Sequence, residues 1–292
     1  MTHQQSGCAA SVAAAFIPTV ERESLDLQHP AVADYNRELL WCGGTLARVV
    51  YEDELAEIGR MWTELGDDAS AREWLVARAA HVAQFFSFTA STPSPVVSAD
   101  MDHAYLTAER SGSFTLISDK GPKPAKEVRM PSSELAAFIK RLPVVPPDAA
   151  TQMAPLLTKL RERGVLREIT LDDVWAELGS RALELEEARA CCVWWIGLAS
   201  NRSYRPELRT KLLSSAVVSV PADPALGQDA RPLPLDSVHY ILDTRLITPD
   251  VPLPPDTLPF ALSRTFRPAD LTTVFGWREL PMLCVDASAD DH

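Results

Sequence analysis

Nine prolines stand between residues 221 and 260, and they restrict the fold of this part of the chain more than any other sequence feature. Proline has no amide hydrogen and its ring clashes with the preceding helical turn, so it is excluded from helix interiors and from central strands. We therefore predict an extended segment over residues 221–260, with one short strand at residues 238–242. A last short helix is framed by Pro268 at its start and Gly276 beyond its end, and an acidic tail follows.

Helical patterns dominate the rest of the chain. Between residues 30 and 65, apolar residues recur mostly three, four or seven positions apart, as one face of an amphipathic helix requires. Gly43 and Gly44 interrupt this pattern, and they predict a kink, a helix end or a place where another backbone comes close. Ser70 and Glu73 have the spacing of a capping box and predict the start of a second helix.

Turn and capping signals predict the remaining elements. Gly164 is expected to end a helix in the left-handed conformation, with an apolar contact from Val165. Thr170 and Asp173 have capping-box spacing. The helix over residues 183–199 is too apolar for a surface position and is predicted to be the central core element. The predicted hairpin consists of residues 105–108 and 114–118 with its turn at 110–113, and a basic loop follows at 119–131. The remaining predicted helices lie at 133–141, at 147–163, from 170 onward and at 183–199.

These patterns predict a fold that is α+β and predominantly helical, with a helical core, a short hairpin and a Pro-rich extended segment. We divide the chain into four regions. They are an unstructured or Ala-rich leader at residues 1–15, a helical region with a small hairpin at 16–131, a helical core region at 132–220, and the Pro-rich segment with its short helix and acidic tail at 221–292.

The charge balance narrows the possible partners. The chain has 28 Lys and Arg against 40 Asp and Glu, a formal net charge of -12. This negative charge disfavours non-specific attraction to nucleic acid and to anionic lipid. No apolar stretch approaches the ~20 residues of a membrane-spanning helix, and the apolar stretch within residues 1–17 lacks the basic residues of a secretory signal. We expect an intracellular protein, cytoplasmic or nuclear, without membrane contact.

The cysteines and histidines show no catalytic or metal-binding pattern. The five cysteines are odd in number and lack the C-x-x-C spacing of zinc and redox sites; they are Cys8, Cys42, Cys191, Cys192 and Cys284. A cysteine hydrolase needs a thiolate beside a histidine base, whereas three of these cysteines fall in apolar helical patterns. We expect reduced, mostly buried thiols, no catalytic residue and no metal site.

Residues 16–27, with the sequence FIPTVERESLDL, resemble a motif of an uncharacterised fungal family. Larger members of that family carry a histidine-kinase-like ATPase domain and are compared with sacsin for that reason. Six further segments resemble family segments in the same order, at residues 36–40, 46–52, 91–94, 128–131, 142–146 and 275–277. The resemblance covers about residues 16 to 280, and the ordered series is more specific than any single short match.

The resemblance implies a place after an ATPase domain, because the larger members carry that domain before the first motif. Only about fifteen residues precede the motif here, so we expect a fragment, a truncated gene model or a specialised short relative. The acidic-Asn box and the Asp-x-Gly-x-Gly turn that hold magnesium and nucleotide in such ATPases are missing. We therefore expect no cofactor and no ATP binding by this chain. The expected partner is a protein, or an ATPase domain in cis or in trans.

Two candidate sites follow from this resemblance. Glu21, Arg22 and Glu23 lie in the first motif and are candidates for coupling to a nucleotide-binding domain; solvated or locally paired charges are the alternative. Lys120, beside Gly121, is the candidate phosphate contact. Related ATPase machines insert a lysine from a second domain toward the terminal phosphate, where its charge stabilises developing negative charge. A mobile, solvated loop is the alternative reading of Lys120.

A third candidate site is basic and consists of Arg202, Arg205, Arg209 and Lys211. It is either a phosphate-binding patch or a helix end that complements its own dipole. Together with a winged-helix-like pattern at residues 147–178, it gives our second hypothesis, a nucleic-acid-binding module. The first hypothesis is a non-enzymatic scaffold or regulatory region that acts through protein contacts. An unrecognised hydrolase is the third.

Overall fold

The computed structural model describes residues 2–108, 113–200, 206–222, 229–245 and 253–281, and α-helices dominate them. The helices are α1 Pro30–Glu64, α2 Ala69–Phe85, α3 Pro95–Thr107, α4 Pro147–Gln152, α5 Ala154–Glu162, α6 Leu171–Ser180, α7 Leu185–Ala199, α8 Pro206–Ser215, α9 Phe260–Ser263 and α10 Pro268–Phe275. The strands are β1 Thr115–Ser118, β2 Gly121–Pro124, β3 Val217–Val220, β4 Arg231–Pro234, β5 Tyr240–Ile241 and β6 Arg278–Glu279. They form antiparallel pairs β1–β2 and β3–β4 and a parallel pair β5–β6. The fold is α+β and predominantly helical, as the sequence predicts.

Two compact units share the chain. The first consists of Met1–Pro131 and Leu142–Ile169, and the second consists of Ser132–Arg141 and Thr170–His292. The predicted boundary after residue 131 coincides with one edge of the first unit. The segment Leu142–Ile169 belongs to the first unit, however, and not to the predicted region of residues 132–220.

In the first unit, α1 is a single unbroken helix of 35 residues. Gly43 and Gly44 neither end it nor divide it. A Cβ atom at Gly44 would stand 2.2 Å from the carbonyl oxygen of Met101 and 2.7 Å from the Cβ atom of Ala104. Of the three interpretations of the glycine pair, the close approach of another backbone is therefore correct, and that backbone belongs to α3.

The surroundings of the two glycines predict different effects of an alanine substitution on the free energy of unfolding. We expect Gly44→Ala to lower the free energy of unfolding by about 1–3 kcal/mol, because the added methyl group forces α3 away from α1. At Gly43 the nearest atoms would lie 3.4 Å from a Cβ. Gly43→Ala is therefore expected to be neutral or to stabilise by up to about 1 kcal/mol, since alanine is the better helix former. Urea denaturation measures both values; effects of equal size and sign would contradict the tight packing at Gly44.

Residues 2–15 form no helix or strand, but backbone hydrogen bonds hold them to the first unit. The Gln5 N–H donates to the Thr92 carbonyl at 2.9 Å, and the Ala9 N–H donates to the Phe85 carbonyl at 3.1 Å. The description of this leader as unstructured is therefore wrong. Its backbone groups find partners that lie far away in sequence, which local composition does not reveal.

Helix α2 begins at a different cap from the one predicted. Its N-cap is Asp68, whose carboxylate accepts hydrogen bonds from the N–H groups of Ser70 and Ala71 at 3.0 and 3.1 Å. The prediction of a capping box at Ser70 and Glu73 is wrong, because Asp68 already accepts hydrogen bonds from the first free N–H groups of the helix.

The hairpin exists, but its strands are not those predicted. Residues 105–107 belong to α3, where Tyr105 is buried in the core, so the predicted strand at 105–108 is wrong. Strand β1 pairs instead with β2, which lies in the stretch predicted as a loop. Gly121 has a φ angle of +86°, which permits the tight reversal after β1. Residues 110–112 of the predicted turn lie outside the described residues.

Helix α1 positions this hairpin through a polar cluster. Buried Arg48 donates to Glu52 Oε1 at 2.8 Å and lies 4.0 Å from the centre of the Phe114 ring. The same Glu52 oxygen accepts the Thr115 N–H at 3.1 Å, and the Tyr51 hydroxyl donates to the Thr115 carbonyl at 2.8 Å. The start of β1 is thus bound to α1 by two hydrogen bonds.

Helices α4 and α5 occupy the range predicted as one helix, which breaks at Met153. Gly164 has a φ angle of +70°, and the Val165 N–H donates to the Leu160 carbonyl, so the predicted left-handed end is confirmed. The capping box of Thr170 and Asp173 at the start of α6 is also confirmed.

In the second unit, α7 carries the buried core residues Cys191, Cys192 and Trp195, which confirms the predicted apolar helix. Strand β5 lies within the predicted strand at residues 238–242. The last helix is also confirmed: α10 starts at Pro268 and ends at Gly276, which has a φ angle of +75°. Within the described helices, none is both long and apolar enough to cross a membrane. The predicted acidic tail, from Cys284 onward, lies outside the described residues.

Residues 133–138 form turns and residues 139–141 are irregular, in place of the predicted helix at 133–141. A carboxylate from α6 holds the end of this segment. Glu177 is 4% exposed and accepts hydrogen bonds from the N–H groups of Lys140 and Arg141 at 3.0 and 2.9 Å. It also accepts from Arg181 Nε at 2.9 Å. Because these amides donate to a side chain, they are not available for a helical ladder.

Candidate functional site

The first sequence motif folds into a turn that we call the motif turn, residues 17–26. Its two arms are joined by backbone hydrogen bonds. The Thr19 N–H donates to the Ser24 carbonyl at 3.0 Å, and the Asp26 N–H donates to the Ile17 carbonyl at 3.0 Å. The motif turn is therefore a closed local structure that projects a short tip.

Buried Asn36 binds the base of the motif turn to α1. Its Oδ1 atom accepts the Ile17 N–H at 2.9 Å. Its Nδ2 atom donates to the carbonyls of Ile17 and Asp26 at 2.8 and 2.9 Å. The amide is fully buried, so each of these bonds is expensive to lose. The base of the motif turn is thus fixed by three bonds from one side chain.

Asp26 then fixes the entry of the chain into α1. Its Oδ1 atom accepts the N–H groups of Gln28 and His29 at 3.0 and 3.3 Å. These two hydrogen bonds, that of Gln28 first, lower the pKa of the Asp26 carboxyl below its ordinary value. The carboxylate thus satisfies two amides just ahead of the first helical residue, Pro30.

The tip of the motif turn is exposed and mixed in character. Val20 is 96% exposed, and Glu21, Arg22 and Glu23 are exposed as well. The three charged residues make no ion pair with any described residue, so among the described contacts local pairing does not account for them. Arg22 has a φ angle of +58°, a left-handed conformation that costs an L-residue about 1–2 kcal/mol. The motif turn imposes this cost on an exposed residue.

Lys120 and Gly121 lie at the reversal between β1 and β2. The Lys120 ammonium stands 3.1 Å from the Asp119 carboxylate, and both side chains are about two fifths exposed. The Lys120 N–H donates to Ser118 Oγ at 3.1 Å. Gly121 lies against Trp62, whose ring atoms would be 3.0 Å from an added Cβ. No described hydrogen bond or ion pair connects this reversal with the motif turn.

The structure describes half of the candidate basic patch. Arg202 and Arg205 lie outside the described residues. Arg209 is half-buried, with its guanidinium beside Gly276, and Lys211 stands 3.7 Å from Asp172. The described part of the patch is thus partly occupied by contacts within the second unit. It offers no continuous basic face.

The winged-helix-like pattern divides between the two units. Helices α4 and α5 belong to the first unit and α6 belongs to the second. Between them, residue Arg167 forms a single bridge with Arg129 and no strand. The segment therefore contains no strand between its helices and does not fold as one winged-helix-like module.

The cysteines differ in exposure. Burial raises the pKa of the Cys192 thiol to about 12 and raises that of Cys191 well above its ordinary value, so both stay protonated at neutral pH. The prediction of inert core thiols is confirmed for these two. The prediction is wrong for Cys42, which is exposed. An apolar sequence pattern does not indicate which face of α1 is covered by other elements. Cys284 lies outside the described residues.

The described residues contain no group of three or more His, Cys, Asp or Glu side chains that could hold a metal ion. The two residues that sequence reasoning missed are Val20 and Asn36. A signal for Asn36 was present, because it is a polar residue on the same helical face as apolar Ala33 and Leu40. No comparable signal singles out Val20 among charged neighbours.

Comparison with known proteins gives one match. A family model described as a protein of unknown function (DUF3684) matches residues 1–284 of the 292-residue chain. Neither the curated proteins nor the solved structures contain a match to the chain. The family match spans the motif turn, its Asn36 anchor and nearly the whole of both units. The chain therefore belongs to the DUF3684 family.

Proposed function

We propose that the chain is a non-enzymatic scaffold or regulatory region that acts through protein contacts, and that the motif turn is its contact with a histidine-kinase-like ATPase domain in cis or in trans. One observation carries the proposal. Val20 is almost fully exposed at the tip of a turn whose base is fixed by buried Asn36. An exposed apolar side chain on a fixed base loses little conformational freedom when a partner covers it.

The charges around Val20 supply specificity for such a contact. Glu21, Arg22 and Glu23 follow Val20 along the exposed tip and place charged groups of both signs beside an apolar side chain, as in the apolar core and polar rim of protein interfaces. Charged rims guide encounter and select the partner more than they raise affinity. The proposal therefore assigns affinity to Val20 and selectivity to the three charged residues.

The contact is tested with the histidine-kinase-like ATPase domain of a larger protein of the resembled fungal family. We expect Val20→Asp to weaken binding of this domain at least about tenfold, because a carboxylate replaces the apolar centre of the contact. Val96→Asp is the matched control, since Val96 is exposed in the first turn of α3, where an acidic residue suits the helix dipole. Titration calorimetry with both variants gives the measurement. Equal affinities of Val20→Asp, Val96→Asp and wild type would refute this role of the motif turn.

The same mixture tests Lys120 as a phosphate contact. We expect Lys120→Ala to lower ATP turnover more than it lowers ATP binding, because a charge clamp acts on the charge that develops during hydrolysis. Lys126→Ala is the control from the same basic stretch. The chain without the ATPase domain should leave a fluorescent ATP analogue unbound. If both lysine variants match wild type, Lys120 is an ordinary solvated side chain.

A further inference from the structure

One face of α1 carries five apolar side chains, of which four are exposed and one, Leu39, is half-buried. Tyr35, Leu39, Cys42, Leu46 and Val50 follow one another at steps of four, three, four and four residues, which places them on one side of a helix. We call these five residues the outer stripe. Leu46 is 63% exposed, Val50 is 43% exposed and Tyr35 is 40% exposed, while Cys42 is also exposed. The outer stripe extends over about 22 Å of helix.

The outer stripe lies opposite the buried side of α1. The buried side contains Leu40, Gly44, Ala47 and Tyr51, which pack into the first unit. Single exposed apolar residues are common on protein surfaces. A continuous stripe at helical spacing is different, because it is the surface that a second helix covers when it lies in register.

Charge then distinguishes between possible partners. Beyond Val50 the same side of α1 continues at three- and four-residue steps as Asp53, Glu57, Arg60 and Glu64. Arg60 is ion-paired with Glu57. The stripe is therefore followed along the helix by a surface with three acidic residues and one basic residue. Exposed Glu38 lies on the stripe's flank and adds another negative charge.

We propose that the outer stripe and its acidic continuation bind a basic amphipathic helix of another protein. Apolar residues of that helix at positions i, i+4 and i+7 cover Leu39, Cys42 and Leu46, and its Lys or Arg residues lie over Asp53, Glu57 and Glu64. A second copy of this chain is the less suitable occupant, because two chains with a net charge of -12 each repel one another. The site consists of residues other than those of the motif turn and does not depend on the ATPase proposal.

The test uses two synthetic helical peptides with the same leucine spacing, one with lysines and one with glutamates at its polar positions. A fluorophore at the N-terminus of each peptide reports binding to the chain through fluorescence anisotropy and leaves the outer stripe unaltered. We expect the lysine peptide to bind at least about tenfold more tightly than the glutamate peptide, with an affinity that falls as salt rises. Equal binding of the two peptides would overturn the proposed partner chemistry.

A pair of variants separates docking from general attraction of a cationic peptide to an acidic protein. Leu46→Glu removes the centre of the stripe, and Leu65→Glu adds the same charge at an exposed leucine outside the stripe. General attraction would be kept or strengthened by both. We expect Leu46→Glu to weaken binding of the lysine peptide at least about tenfold and Leu65→Glu to keep or strengthen it, because Leu65 adjoins Glu64 in the acidic continuation. Equal affinity of the two variants would overturn the proposal.

Sedimentation velocity of the peptide-free chain tests the second-copy alternative. We expect a monomer at micromolar concentration for wild type and for Leu46→Glu. A wild-type dimer that Leu46→Glu converts to a monomer would overturn the proposal, because the occupant of the stripe would then be a second copy. Spontaneous disulfide formation between Cys42 residues of two chains would have the same meaning.

Discussion

Replacing Trp195 by alanine is expected to lower the free energy of unfolding of the second unit by about 3–5 kcal/mol, the usual cost of removing a large aromatic side chain from a core. Trp195 is completely buried on α7, and its ring lies 5.8 Å from the ring of Trp175. Its removal leaves a cavity that the surrounding helices fill only in part. Chemical denaturation, with hydrogen exchange of α6 and α7 measured by mass spectrometry, gives the size and the location of the loss.

Trp194 is the natural control for this substitution. It is the neighbouring residue on the same helix and is half-buried, with its ring 5.7 Å from that of Phe138. Adjacent helical positions point about 100° apart, so one of the two rings faces the core more directly. We expect Trp194→Ala to cost clearly less than Trp195→Ala. Equal costs, or no cost for Trp195→Ala, would contradict the placement of α7 in the core.

Replacing Glu177 by glutamine is expected to cost about 3 kcal/mol at pH 7, the lower end of the range for breaking a buried charged network. Arg181 donates to Glu177 and also to Glu187, at 3.1 Å from its Nη2 atom, so it keeps one partner after the substitution. In glutamine, however, an NH2 group replaces one of the two carboxylate oxygens. This group cannot accept the hydrogen bonds that the oxygen had accepted from the surrounding N–H groups. Glu186→Gln is the control, since Glu186 is an exposed residue of α7 that pairs with Arg189 at the surface, and it is expected to have little effect.

The cost of Glu177→Gln should also depend on pH. Burial raises the pKa of the Glu177 carboxyl, but the hydrogen bonds from Arg141, Arg181 and Lys140 outweigh burial and hold the pKa below its ordinary 4.5. A lowered pKa in the folded state contributes stability above the pKa of the unfolded state, and this contribution is lost as the pH falls through the folded value. We expect the difference between wild type and Glu177→Gln to shrink between pH 6 and pH 3. A difference that stays constant over this range would contradict the ionised state of Glu177.

Local signals in the sequence predicted most of the elements that depend on nearest neighbours. The capping box of Thr170 and Asp173 and the left-handed ends at Gly164 and Gly276 are settled within a few residues, and all three are confirmed. The start of α2 was missed although Asp68 is local, because a second capping pattern at Ser70 competes with it in the sequence. The prediction of a strand at residues 105–108 was wrong because burial, and not alternation, decides the structure of Tyr105.

The candidate site was less predictable because its key contact is not local. Asn36 lies 19 residues from Ile17, and nothing in the sequence motif indicates that this amide closes the motif turn. The exposed character of Glu21, Arg22 and Glu23 agrees with the solvated alternative considered for them. Which face of α1 is covered also depends on packing against residues that are distant in sequence. The apolar pattern around Cys42 does not contain this information, so the prediction that Cys42 is buried was wrong.

The order in which the two units share the chain has a consequence for synthesis on the ribosome. The first unit takes core residues such as Val145, Leu156 and Leu160 from the segment Leu142–Ile169. Its core cannot close until residue 169 has left the exit tunnel. By then residues 132–141 have already emerged, whereas their acceptor Glu177 is still inside the tunnel. For the time in which a few dozen residues are added, the Lys140 and Arg141 N–H groups of a nascent chain thus bind water in place of their native acceptor. Stop codons placed between residues 131 and 169 therefore produce truncated products that lack a complete first unit.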